Sequence, residues 1–196
     1  MENNHNSAAS LKDRRVRRSQ HLLREALLAL ILEKPYQDIT VQDIIDRANV
    51  GRSTFYAHFL DKDHLLKSGF DDLRKLLERN HLEIDHEKME FGTALYMLHH
   101  VKDYHSIYKA LMGKRGADWI VQEVQDVLTL MVRSYLSGHG KDRPDNDIPF
   151  EVQVQFKASA LMGLLKWWLD NDMPYSAEQM HQWFHQLAGI PLVREW

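Results

Sequence analysis

No cysteine occurs among the 196 residues, which excludes disulfides, thiolate zinc sites and cysteine nucleophiles. Nothing approaches the roughly 20 apolar residues of a membrane span, and the opening MENNHNSAAS lacks the apolar core of a signal peptide. A soluble cytoplasmic protein with no membrane partner is therefore expected. Strand-like alternation of useful length is missing, as is any internal repeat, so the expected fold class is all-α. The chain also lacks a glycine-rich phosphate loop, a nucleophile elbow and a carboxylate pair marked by its context. Those absences leave no catalytic residue to assign and imply neither an enzyme nor a cofactor.

What is present is charge, unevenly placed. The formal net charge of −3 argues against a uniformly basic nucleic-acid binder but not against a local one. Residues 1–79 carry 14 Lys and Arg against 12 Asp and Glu, whereas residues 80–196 carry 11 against 16. Positive charge is densest in KDRRVRR, where Lys12, Arg14, Arg15, Arg17 and Arg18 outnumber Asp13. These arginines open a helix predicted from about Lys12 to Leu32, with Leu22, Leu23, Ala26, Leu27, Leu30 and Ile31 as its buried stripe and Pro35 as its stop. Alone they fit a solvated basic tail as well as a duplex-facing strip. Residues 1–11 are polar and aperiodic, and are expected to be disordered.

The stretch from Ile39 to Leu66 carries the strongest pattern. Thr40 followed by Asp43 resembles a capping box, and Val41, Ile44, Ile45 and Ala48 then recur at helical spacing. Asn49 tolerates the left-handed backbone of a sharp turn, and Gly51 offers a permissive N-cap for a second helix over roughly 52–59. A helical wheel places Phe55 and Phe59 inward and Ser53, Thr54 and Ala57 outward, with Tyr56 and His58 flanking and Arg52 free to swing beyond the helix end. Two short helices across a tight turn, the second rich in donors for base edges and phosphates, have the form of a helix-turn-helix.

On Ile39, Thr40, Ile44, Ala48, Val50, Tyr56, His58, Phe59 and Lys62, the segment resembles the DNA-binding domain of the TetR family of bacterial transcriptional regulators. It departs from the family pattern at Ile45, where a small residue is usual, and at Asn49, where glycine is usual. The likeness extends over about Arg14 to Leu66. It implies that Arg52, Ser53, Thr54 and Tyr56 face base edges, with a phosphate as the alternative contact for Tyr56, that Thr40, His58 and Lys62 grip phosphates, and that Arg14, Arg15, Arg17 and Arg18 supply backbone or minor-groove charge. The organisation expected is a three-helix DNA-binding domain over 12–60, a connecting helix over 61–80 and a helical regulatory and dimerisation bundle over 81–196.

Further helices are predicted at about 89–103, 104–113, 117–137, 150–171 and 176–188, with SGHGKDRPDNDIP as the long loop. The resemblance implies that Tyr96, Met97, Tyr104, Tyr108, Met112, Trp119, Leu128 and Met131 line a cavity for a small, largely apolar effector, although a bundle core needs the same residue types. The final two helices carry more apolar surface than a monomer core requires. Phe156, Ala160, Gly163, Trp167, Trp183, Phe184 and Leu187 are accordingly expected at a four-helix homodimer interface, which sets two reading helices on a palindromic operator in double-stranded DNA. His181 and His185 have the spacing of two metal ligands, but no carboxylate stands between them and packing explains their neighbours better, so no metal ligand is assigned. The function expected is a sequence-specific transcriptional repressor released by a small molecule. Two alternatives are a co-activator of the same build acting through protein contacts and a helical metal-binding sensor.

Overall fold

The computed structural model describes residues 3–83, 89–113, 117–138 and 148–189, and all the regular structure among them is helical. Helix α1 spans Asn3–Glu33 and therefore absorbs all but the first two of the residues expected to be disordered. Its anchor is the buried stripe Leu23, Ala26, Leu27, Leu30 and Ile31. Once that segment is helical, each further polar residue adds a backbone hydrogen bond without a new nucleation cost. A single 3-10 turn, Tyr36–Asp38, follows Pro35 and precedes α2, Val41–Ala48, and α3, Arg52–Tyr56.

The later helices are α4, Lys62–Glu83; α5, Met89–Asp103; α6, His105–Met112; α7, Asp118–Gly138; α8, Phe150–Asp170; and α9, Ala177–Leu187. The chain folds as two compact units, Met1–Gly69 and Phe70–Trp196, so the division falls within α4, ahead of the boundary expected near Asn80. Most of the loop SGHGKDRPDNDIP lies outside the described residues.

In the first unit α1 packs on α2, and Leu23, Leu27, Ile44, Ile45 and Phe55 are all buried there. Burying side chains of this size contributes about 1.5–3 kcal/mol each, before the entropy of ordering them is subtracted. In the second unit α7 packs on α8, α5 on α9, and α6 on both α7 and α8. Helix α8 presents Val154, Ala158, Leu161, Leu165, Trp168 and Leu169 to that core, at the spacing of one helical face.

Candidate nucleic-acid interface

Helix α2 is capped at both ends. The Thr40 hydroxyl accepts from the Asp43 backbone N–H at 3.1 Å, while the Asp43 carboxylate accepts from the Thr40 N–H at 2.7 Å. This completes the capping box. The same carboxylate receives the Thr40 hydroxyl and the Lys34 ammonium, each at 2.7 Å. Those bonds hold its pKa well below the usual carboxylate range, Lys34 contributing most. At the other end Asn49 adopts the left-handed conformation, φ 49° and ψ 48°, and its N–H turns back on the helix carbonyls. The usual glycine is absent there because Asn is the residue that accepts this conformation next most readily.

Helix α3 is short because its core anchors are local. Phe55 is fully buried and Phe59 nearly so, and the helix ends at Tyr56 with Ala57 as its C-cap. It is therefore three residues shorter than the 52–59 expected, the last part being turn. Arg52, Ser53 and Tyr56 are exposed, and Thr54 and His58 half-buried, so all the expected base-facing residues have at least an edge in solvent. Arg14, Arg15, Arg17 and Arg18 are exposed along α1.

Two expected phosphate ligands are engaged otherwise. The hydroxyl of Thr40 is committed to its cap. Lys62 directs its ammonium at the carbonyl oxygens of Tyr36, Gln37 and Ile39, at 2.8, 3.0 and 2.7 Å. An ammonium has three N–H donors, so this set accounts for all of them. Burial lowers the pKa of Lys62, while nearby Asp63, Asp38 and Asp43 oppose that shift. The group also lies 4.8 Å from the centre of the Tyr36 ring.

Sequence reasoning missed Gln42. From the exposed side of α2 its Oε1 accepts from Arg52 at 2.7 Å, and its amide donates to Asp46 at 2.7 Å. The signal was the i, i+4 pair of Gln42 and Asp46 on the polar face of α2, opposite the Ile44 and Ile45 side.

The expected effector residues divide. Met97, Tyr108, Leu128 and Met131 are buried, Met112 and Trp119 half-buried, and Tyr96 and Tyr104 exposed. Three of the tyrosines gather on His100, with ring centres at 6.4 Å for Tyr96, 4.9 Å for Tyr104 and 5.8 Å for Tyr108. Met112 borders a shallow notch with Lys109, Gly113, Lys166, Leu169 and Asp170.

Of the expected dimer residues, Phe156, Trp167, Trp183 and Leu187 are exposed, Gly163 is exposed and Ala160 half-buried. Phe184 is the correction: only 4% of it is exposed, because it lies on the same α9 face as the buried Ala177, Met180 and His181. Tyr175, which sequence reasoning did not single out, stacks on Trp167 at 6.2 Å and meets Trp183 edge-on at 4.8 Å. His181 and His185 are both buried, with ring centres 4.3 Å apart. Among the described residues no third His, Asp or Glu joins them to form a metal-holding group, and no helix is long and apolar enough to cross a membrane.

Comparison with known proteins accounts for both units. Residues 23–68 match the family described as bacterial regulatory proteins, tetR family, and residues 91–189 match a transcriptional regulator C-terminal region. A solved TetR transcriptional regulator from Streptococcus agalactiae is 28% identical and superposes with a TM-score of 0.70 over 92% of this chain and 98% of its own. The fatty acid degradation regulator FadR from Bacillus halodurans is 18% identical, with a TM-score of 0.68 over 90% of this chain and 97% of its own, a likeness of fold alone. An uncharacterized HTH-type transcriptional regulator, YxbF of Bacillus subtilis, is 23% identical over 175 residues, 85% of this chain. The chain spans 44% of the length of that relative. Matched in its helix-turn-helix and again over its C-terminal half, the chain belongs to the TetR family of bacterial transcriptional regulators.

Proposed function

We propose that the protein is a homodimeric, sequence-specific DNA-binding regulator, a repressor that a small-molecule effector releases from a palindromic operator. The observation that carries this reading is α3 itself. Phe55 anchors it in the core with Phe59 just beyond its end, Arg52, Ser53, Thr54 and Tyr56 keep at least part of their surface in solvent, and α2 before it is capped at both ends. A reading helix must be rigid behind and polar in front, because base contacts discriminate only when held in register. Exposed Arg14, Arg15, Arg17 and Arg18 supply sequence-independent attraction to phosphates. His58 keeps its expected phosphate role, whereas Thr40 and Lys62 support the interface from behind.

Dimerisation is assigned to the apolar stripe that α8 and α9 leave uncovered: Phe156, Ala160, Gly163, Trp167, Trp183 and Leu187. A two-fold pair would address half-sites about 34–36 Å apart. The effector is assigned to the tyrosine cluster on His100, whose phenol hydroxyls would give a largely apolar ligand a few polar handles. An effector acts by fitting the form with low DNA affinity better than the bound form.

Selection of bound sequences from a random duplex pool tests the core of the proposal. The expected product is an inverted repeat. Failure of the purified protein to retain any duplex at low salt would remove the DNA-binding reading.

A further inference from the structure

The first turn of α4 is tied to the turn that launches α2. Lys62 reaches back 23 to 26 residues to the carbonyls of Tyr36, Gln37 and Ile39. Beside it, the Tyr36 hydroxyl donates to Asp63 at 2.5 Å. Tyr36 is only 3% exposed, so neither its ring nor its carbonyl is placed to meet a duplex. Asp61 caps α4 locally by accepting from the His64 N–H at 2.7 Å, which fixes where the helix begins. The carbonyls that Lys62 holds belong to the residues immediately before Thr40, the N-cap of α2. Lys62, Tyr36 and Asp63 therefore form a latch between the start of α4 and the start of the helix that carries α3.

We propose that Lys62 is a positioning residue of the DNA-binding unit: it holds α2 and α3 in register with the first turn of α4 through three backbone carbonyls, and does not itself neutralise a phosphate. Two features argue against the phosphate role. The donors are already used, and a phosphate would have to displace three carbonyls that would then lose a charge-assisted bond in a half-buried site. The inference rests on the DNA-binding reading above, and it deepens that reading by naming the residues that set α2 and α3 against the first turn of α4.

The two roles leave different marks on binding. A lysine that neutralises a phosphate contributes about 0.9 to the slope of log affinity against log salt, and arginine replaces it. A lysine that converges on three carbonyls is not replaced by the planar guanidinium fork. We expect Lys62→Met to weaken operator binding at least tenfold with the salt slope unchanged, and Lys62→Arg to fail to restore it. Asp63→Asn should also weaken binding, although removal of an acidic charge would on electrostatic grounds alone leave it equal or tighter. A slope lowered by about one in Lys62→Met, with affinity restored by Lys62→Arg, would overturn the assignment.

Amide exchange separates this inference from the function it rests on. Exchange at the Thr40 and Asp43 N–H groups should quicken in Asp63→Asn and Lys62→Met without any DNA present. Unchanged exchange in both variants refutes the latch. Wild-type protein that binds no duplex refutes the regulator instead, leaving the exchange result to stand by itself.

Discussion

Arg52 is the residue on which base discrimination rests in the proposed function. Its guanidinium leaves the first turn of α3 and is met by Gln42 at 2.7 Å, which restricts its directions without burying it. If it reads a guanine, Arg52→Ala should cost about 1–3 kcal/mol on the selected operator and relax the preference at one base pair. Binding titrations on operator and random duplex check this, and equal losses on both would assign Arg52 to phosphate. A second residue answers to pH. Burial, the neighbouring His181 and the Lys157 ammonium push His185 down to about 4 from 6.5, and burial lowers His181 too. Tyr135 meets the His185 ring edge-on at 6.1 Å and adds no compensating charge. The unfolded chain takes up this proton near pH 6.5, whereas the folded chain resists until about pH 4, so the contribution is complete above 6.5 and is lost as pH falls through that window. A loss of about 2 kcal/mol is expected by pH 5. Urea midpoints across that range should fall in the wild type and fall less steeply in His185→Met, where only His181 remains; parallel slopes would show that His185 does not titrate there.

At the scale of elements, α2 shows how little sequence is needed when both ends are specified. Asn49 sits at φ 49°, where an alanine Cβ meets the following carbonyl. Asn49→Ala should destabilise the N-terminal unit by about 1 kcal/mol, and Asn49→Gly should change it by a few tenths. Thermal unfolding of full-length protein checks the pair, and identical midpoints would mean that the turn relaxes. Features of this kind are local, which is why they were legible in advance. The capping box, the Asn turn and the limits of α5 to α9 follow from residues within four positions of one another. Features made by distant residues were not. Periodicity could show Lys62 on a helix, but not that Tyr36, Gln37 and Ile39 would converge on it. It could not show that α3 ends at Tyr56, because Phe59 is buried whether or not the helix continues to it.

At the scale of the whole molecule, the proposed dimer rests on the apolar stripe that the subunit leaves uncovered. Phe156 is 64% exposed and Leu187 75%. Helix α8 thus carries two apolar faces, one filled by Val154, Ala158, Leu161 and Leu165 and one holding Phe156, Gly163 and Trp167. A lone subunit has use for only one of them. Hydrophobicity told both faces from a solvated helix but could not rank them, so Phe184 was expected outside and lies inside, while its neighbour Trp183 is 36% exposed. Gly163 separates association from folding. A Cβ built there meets nothing within 4 Å, so Gly163→Leu fits the subunit and should strengthen α8 by roughly 0.5–1 kcal/mol, since glycine is a poor helix former. In the proposed dimer the same side chain would hold the second copy away. Sedimentation should show the dimer weakened while the monomer unfolds no earlier than wild type, and operator affinity should fall with the dimer because each half-site is then bound alone. An undiminished dimer mass in this variant would move the interface away from Gly163.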